Sequence, residues 1–329
     1  MFTRPLDIVI NELNAQTKIL GLNISGAKTI AVYGDVNGHI YERMQMVMPA
    51  GVPFLEGFDA VCSMADKLLK VTRAQGLSSP DVLSLAISGP LDIKKGMVLA
   101  PPDLPEWVDA QIRGRLGVRY NLPTFMEFRS NAAALAEYYF GAGVGVQDMI
   151  FLDMEPVVSA GIIVQGSIYH GVNDAAGDIG KMRLTENGPS GLGEPGSLTG
   201  YASGLGMAEL ARLRYPNVFS ELLEPYGFVK AIHEGQPEAI DVIVEAADHL
   251  GKALLWLIFV LDPELVVLGH PGDVLNEALL SPLRDAVLRH GGGQAKMLPK
   301  LTVSKLGAKL DDIAALMAVV DLYKKREMA

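Results

Sequence analysis

The order of elements in this 329-residue chain predicts a duplicated α/β fold, two copies of one unit facing each other across a cleft. Three observations carry the prediction. Three short strands joined by tight turns precede alternating helix and strand; the same order begins again near Thr124; and at roughly 150 residues per domain the length holds about two such units.

In the first copy, Ile19 to Ile24 and Thr29 to Tyr33 are apolar runs and the stretch around His39 to Met46 alternates, with Gly and Asn-Gly turns between them. They read as an antiparallel meander. Met44, Met46 and Met48 alternate along its last strand and suit core or edge packing. Phe58, Val61, Ala65, Leu68 and Leu69 recur at helical spacing, so Leu55 to Gln75 is expected to be an amphipathic helix on that sheet. Val82 to Ile87 reads as a buried strand. The Ser88-Gly89-Pro90 turn and the Pro-rich stretch Ala100 to Pro105 are expected between the halves, where small-molecule sites are favoured.

The second copy opens with a strand at Thr124 to Phe128 and a helix at Asn131 to Phe140, capped by Asn131 and stopped by Gly141 to Gly145. Strands follow at Met149 to Met154, Val157 to Val164 and Ser167 to Tyr169, with Gln165-Gly166 as a hairpin turn. Helices are expected at Leu205 to Arg214, Ile240 to Leu261, Val274 to Leu288 and Asp311 to Lys325, with strands at Leu265 to Leu268 and Leu301 to Ser304. The expected lobes are 1–123, with the terminal helix 310–329 packing back on it, and 124–309.

Composition narrows the function. Lys plus Arg number 28 against 38 Asp plus Glu, a net charge of -10, which disfavours an extended nucleic-acid surface. Cys62 is the single cysteine, so no disulfide framework or cysteine-rich zinc site is possible and a reducing, cytoplasmic setting is expected. The longest apolar run, Ala253 to Leu261, falls well short of the ~20 residues of a membrane span. His170, His233 and His290 lack metal-ligand spacing.

A set of motifs in fixed order resembles the ROK family of bacterial sugar kinases and sugar-responsive repressors. They are Leu20-Gly21-Leu22-Asn23-Ile24-Ser25-Gly26-Ala27-Lys28-Thr29, Gly89-Pro90-Leu91-Asp92, Asp103-Leu104-Pro105-Glu106-Trp107, the run Asn131 to Gly143, the run Gly171 to Gly180, Tyr201-Ala202-Ser203-Gly204 and Pro263 to Gly269. The resemblance implies an actin-like, hexokinase-like (ribonuclease H-like) duplicated fold.

It also implies positions for the chemistry, and this chain departs from the family at most of them. The kinases' first phosphate loop, Asp-x-Gly-Gly-Thr-Lys, is matched by Asn23, Ser25, Gly26, Ala27 and Lys28, which lacks the metal-holding carboxylate, one glycine and the hydroxyl. The second, Gly-Thr-Gly-x-Gly, is matched by Glu155-Pro156-Val157-Val158-Ser159, where proline has no N–H and glutamate repels a triphosphate. The catalytic Asp is matched by Arg129, which cannot accept a proton, and the sugar-contacting Asn before it by Phe128. Glu127 is expected to point to the opposite face of its strand. The zinc ligands are matched by Lys181, Ser190, Leu192 and Ser197, with Gly193 and Gly196 kept, so no metal is expected and the loop should persist without one. His270 replaces a glycine near the adenine site.

Asp103, Asp178, Lys181 and Thr199 match sugar-contacting positions and can still hydrogen-bond hydroxyls. With Arg129 they shift the pocket toward positive charge. Two readings stay open: Arg129 and Lys181 bind an anionic sugar derivative, or they pair with Asp103, Asp178 or Glu127 in an idle cleft. Arg4-Pro5-Leu6 through Asn14 resembles the junction, containing a short strand, that leads out of the DNA-binding head in the family's repressors. The expectation is therefore a catalytically inactive sugar-recognition domain of repressor lineage without that head, requiring no cofactor and forming a homodimer, with no nucleic acid bound through this chain alone and no membrane partner. The alternative is an active hexose kinase using ATP and Mg2+.

Overall fold

A computed structural model describes residues 6–220, 222–292 and 298–328. It divides into two compact units, one of residues 1–136, 170–175 and 308–329, the other of residues 137–169 and 176–307.

The first unit is built on a five-stranded sheet of order β3-β2-β1-β4-β7, from β1 (Lys18–Ile24), β2 (Thr29–Asp35), β3 (Ile40–Met46), β4 (Val82–Ile87) and β7 (Thr124–Phe128). The meander β1-β2-β3 is antiparallel, whereas β1, β4 and β7 run parallel. β1, β2 and β4 are buried on both faces apart from Lys18, as a sheet covered by helices on each side requires. On one face, Leu20, Leu22 and Ile24 pack with Val61, Ala65 and Leu68 of α2 (Phe54–Ala74) and with Ile112 and Leu116 of α3 (Ile112–Tyr120), around a fully buried Trp107. A two-residue hairpin, β5 (Leu91–Asp92) and β6 (Met97–Val98), leads toward α3.

On the other face of β1, Gly21 and Gly34 make room for the C-terminal segment. A Cβ on Gly21 would lie 2.8 Å from the Ala315 carbonyl oxygen, and one on Gly34 2.9 Å from Leu316. The sequence predicts one helix here. Two form, α11 (Leu310–Ala314) and α12 (Met317–Met328), with Leu316 fully buried at the break, and α12 packs on β4 and β7.

Two further expectations change. The residues 6–12 form a helix, α1 (Leu6–Glu12), and not a junction strand, because Leu6, Val9, Ile10 and Leu13 recur at helical spacing and Val9 and Leu13 are buried; Arg4 and Pro5 lie outside the described residues. β7 pairs with β4, so Thr124–Phe128 belongs to the first sheet, and the chain passes to the second unit inside α4 (Arg129–Phe140), not at residue 123.

The second unit repeats the plan. Its sheet, β10-β9-β8-β11-β12, is formed by β8 (Met149–Asp153), β9 (Ser159–Val164), β10 (Ser167–Ile168), β11 (Leu265–Leu268) and β12 (Lys300–Val303). Strand for strand this is the order of the first sheet, again with an antiparallel meander and a parallel pair of additions. Gln165 and Gly166 both have positive φ at the β9–β10 turn, as a two-residue hairpin needs. Ile150, Leu152, Ala160, Val266 and Leu268 bury against α5 (Leu198–Ala202), α6 (Gly204–Arg214), α7 (Pro225–His233), α8 (Pro237–Leu261), α9 (Gly272–Leu275) and α10 (Glu277–His290). The predicted helix Val274 to Leu288 is interrupted at Asn276, whose φ of 47° ends α9. No helix of the described residues is long and apolar enough to cross a membrane.

Candidate functional site

In the first unit, the site grows from the C-terminal ends of β1 and β7. The β1–β2 turn, Ser25 to Lys28, closes on itself: the Ser25 N–H donates to the Lys28 carbonyl at 3.2 Å, and the Lys28 N–H to Ser25 Oγ at 3.2 Å. Gly26 donates its N–H to Asp103 Oδ2 at 2.8 Å and presses against that residue so closely that a Cβ would lie 1.9 Å from the Asp103 carbonyl oxygen. These N–H groups are engaged inside the protein, leaving them unable to cradle a phosphate.

Asp103 Oδ2 also accepts from Ser88 Oγ at 2.8 Å, while its Oδ1 is buried without a hydrogen-bond partner. The predicted sugar ligand is thus half engaged in holding the turn. Asn23, at the family's metal-holding position, donates from Nδ2 to the Asp311 carbonyl at 3.0 Å. Lys28 Nζ meets Asp311 Oδ2 at 2.9 Å, and Arg129 Nη2 lies 3.7 Å from Asp311 Oδ1. One carboxylate therefore faces two cations from different elements, and the adjacent Asp312 pairs with Arg43 Nε of β3 at 2.7 Å.

Glu127 lies in register with Ala86 and Asn23, on the face of the sheet that α11 and α12 cover. Its Oε1 accepts from the Phe128 N–H at 2.8 Å and from Asn131 Nδ2 at 2.9 Å; its Oε2 meets His170 Nε2 at 2.8 Å. This carboxylate and partial burial oppose one another at His170, and the hydrogen bond to Glu127 prevails, raising the imidazole above its ordinary value. Asn131 is not the helix cap, since α4 begins at Arg129 and Asn131 sits buried in its first turn. Phe128 points to the other face and covers Gly89.

In the second unit, several backbone donors of the loop after β8 are absent or engaged within the protein. Pro156 has none, the Glu155 N–H leans on Asp153 Oδ1 at 3.5 Å, and the Val158 N–H donates to Thr199 Oγ1 at 3.2 Å. Thr199 is buried and its N–H bonds the Gly180 carbonyl, so the hydroxyl predicted to meet a sugar clamps this loop instead. Ser159 is the buried first residue of β9. His270 lies 3.0 Å from Asp273 Oδ1 and 3.6 Å from Glu155 Oε2.

Asp178 and Lys181 pair with each other at 2.7 Å, both more than a third exposed at the side chain. Arg129 and Lys181 thus each have a carboxylate within their own unit. At the positions matching the family's zinc loop, the Ser190 and Gly191 N–H groups donate to Glu209 Oε2 at 3.0 and 2.9 Å, and Ser197 Oγ caps α5 through the Gly200 N–H. Lysine, leucine and two serines offer no zinc ligand set. Among the described residues, no three His, Cys, Asp or Glu side chains come together to hold a metal ion.

ATP and magnesium do not fit these residues: the first loop offers an amide where a carboxylate is needed, the N–H groups of Ser25, Gly26, Lys28 and Val158 are engaged within the protein, and Pro156 has none. Sequence reasoning missed Asp311 and the Glu127–His170 pair. Asp311 lies 283 residues from Lys28, and nothing local marks it as its partner.

The duplicated sheets define the actin-like, hexokinase-like fold, and a solved ROK family glucokinase from Streptomyces griseus, in complex with glucose and AMPPNP, shares it with a TM-score of 0.80, 26% identity and coverage of 94% of this chain and 99% of that one. A ROK family transcriptional regulator, a homolog of the Escherichia coli MLC protein, superposes with a TM-score of 0.80 at 18% identity, over 95% of this chain and 81% of that chain. The chain belongs to the ROK family, whose model matches residues 19–326. A curated relative, the bifunctional enzyme NanE/NanK of Brucella melitensis, is 29% identical over 318 residues; the match takes in 96% of this chain but only 56% of that protein's length.

Proposed function

We propose that this chain is a sugar-recognition protein of the ROK family that does not transfer phosphoryl groups. The observation that carries the reading is Arg129, a permanent cation at the position of the family's base, facing Asp311 at 3.7 Å. The engaged N–H groups of Ser25, Gly26, Lys28 and Val158, and the proline at position 156, support it. The ligand is a sugar or sugar derivative, bound without ATP or Mg2+. A homodimer is expected.

Incubation with ATP, Mg2+ and a hexose panel tests this: no sugar phosphate should form. Stoichiometric turnover that Arg129→Ala abolishes would overturn it.

A second reading, an ATP-dependent hexose kinase, is favoured by the NanE/NanK and glucokinase relatives and by one observation, the Glu127–His170 pair beside Arg129. In that reading the imidazole accepts the sugar proton, so His170→Gln abolishes turnover and Arg129→Gln leaves it intact. The raised pKa of His170 argues for the first reading, because it leaves less neutral imidazole at pH 7 to act as a base.

A further inference from the structure

A cavity of about 400 Å³ in the first unit lies outside the site described above. It opens between α2, the end of α3 and the Ser78 to Pro80 loop that leads into β4. Because β1, β4 and β7 run parallel away from this end, the cavity sits at the opposite edge of the sheet from the Ser25–Lys28 turn and Arg129. Asp66, Leu69, Lys70 and Arg73 reach it from α2, at the i, i+3, i+4, i+7 spacing of one helix face, and Arg119 reaches it from α3.

Charge is the first observation. In a chain with a net charge of -10, three of the four charged side chains lining this cavity are cations. The carboxylate of Asp66 is taken by Arg119 Nη2 at 2.5 Å. Lys70 and Arg73 are exposed and, among the described residues, have no carboxylate within ion-pair distance. The negative end of α2 suits Arg73 and that of α3 suits Arg119, each in a last turn. Lys70 lies before the last turn and three residues from Arg73, where like charges oppose one another. Helix ends therefore account for two of the cations, and neither for the third nor for their meeting at one cavity.

The floor is the second observation. Leu69, Leu77 and Leu122 are half-buried along it, and the ring of Tyr120 is held by its hydroxyl, which donates to the Cys62 carbonyl at 3.1 Å. Burial pushes that phenol well up, so it brings no negative charge to the cavity. Cavities of a few hundred Å³ hold small molecules. Three cations against the single carboxylate leave two positive charges, the counterpart of a phosphomonoester at about -1.5 to -2 near pH 7. The guanidinium of Arg73 supplies a forked donor that phosphate oxygens accept in pairs.

We infer that this cavity is a second ligand site, which takes a small phosphomonoester: the phosphate meets Lys70 and Arg73, and an apolar body lies on the leucines and Tyr120. The inference stands apart from the sugar-recognition reading and from the residues assigned to it.

The test is calorimetric titration of the whole chain with phenyl phosphate, inorganic phosphate and phenol, on wild type, Lys70→Gln, Arg73→Gln and Lys70→Arg. Phenyl phosphate should bind the wild type at low salt and less tightly at high salt. Each glutamine variant should weaken that binding about tenfold, whereas Lys70→Arg should retain it. Glutamine suits an exposed helix position, and thermal melts verify that the variants fold. Failure of phenyl phosphate to bind wild type, or equal binding by the glutamine variants, would overturn the inference. Inorganic phosphate binding as tightly as phenyl phosphate would overturn the part given to the apolar floor, and phenol binding as tightly would overturn the part given to the cations.

Discussion

At Glu127, three donors on one buried carboxylate decide the behaviour of its neighbour. His170 gains a partner on folding and its pKa rises, so the sign of its contribution is fixed: the stabilisation is complete below the unfolded value near 6.5 and is lost as pH climbs through the higher folded value. The melting-temperature gap between wild type and His170→Gln should therefore be widest near pH 5.5 and shrink toward pH 8.5; a gap that grows with pH would contradict this. Glu127→Gln replaces the charged acceptor and should lower stability by about 1.5–3 kcal/mol in denaturant titration. Gly26 gives a steric counterpart. A methyl group there meets the Asp103 backbone at 1.9 Å, so Gly26→Ala should cost about 1–3 kcal/mol by the same measurement. Cys62, by contrast, is buried with its thiol pushed up by desolvation, and should stay unreactive to alkylating reagents until the chain unfolds.

Among the elements, α4 shows how a local motif acts at long range. Near its end, Glu137 is fully buried and accepts from the Ala142 N–H, Ser304 Oγ and the Lys305 and Leu306 N–H groups, tying the helix end to the segment after β12. Glu137→Ala leaves these donors without a partner and should destabilise by about 3–5 kcal/mol, read as a lower denaturant midpoint. Strands beside sharp punctuation were predicted to the residue: β4 ends at Ser88-Gly89-Pro90, β7 begins after Pro123, and β11 begins after Asp262-Pro263. Short helices escaped notice for identifiable reasons. α3 contains Gly114 and Gly117, which weaken its helical signal, and α5 has only five residues. The substitution at Arg129 was visible because it falls inside a run of matching residues. Its partner was not, since α11 is brought to it only by the return of the chain to the first sheet.

The whole molecule repeats one strand order in two units, and that repetition explains why the fold class could be read before any motif was considered. The units differ in continuity. The second is drawn almost wholly from residues 137–307, whereas the first needs the first 136 residues, a short piece at 170–175, and the last 22.

That discontinuity has a consequence for biosynthesis. A chain emerging N-terminus first usually completes its N-terminal domain before the next. Here the notch above Gly21 and Gly34 stays open until Leu316 leaves the ribosome, so the unit translated first is the last to close. Until then, the apolar face of β1 and β4 has nothing of its own chain to cover it. Nascent chains arrested before residue 310 should show a protease-resistant core from the second unit and a readily cleaved first unit, and simultaneous protection of both would contradict this order. In the cell, a chaperone holding the early strands would have most to protect during the synthesis of the second unit.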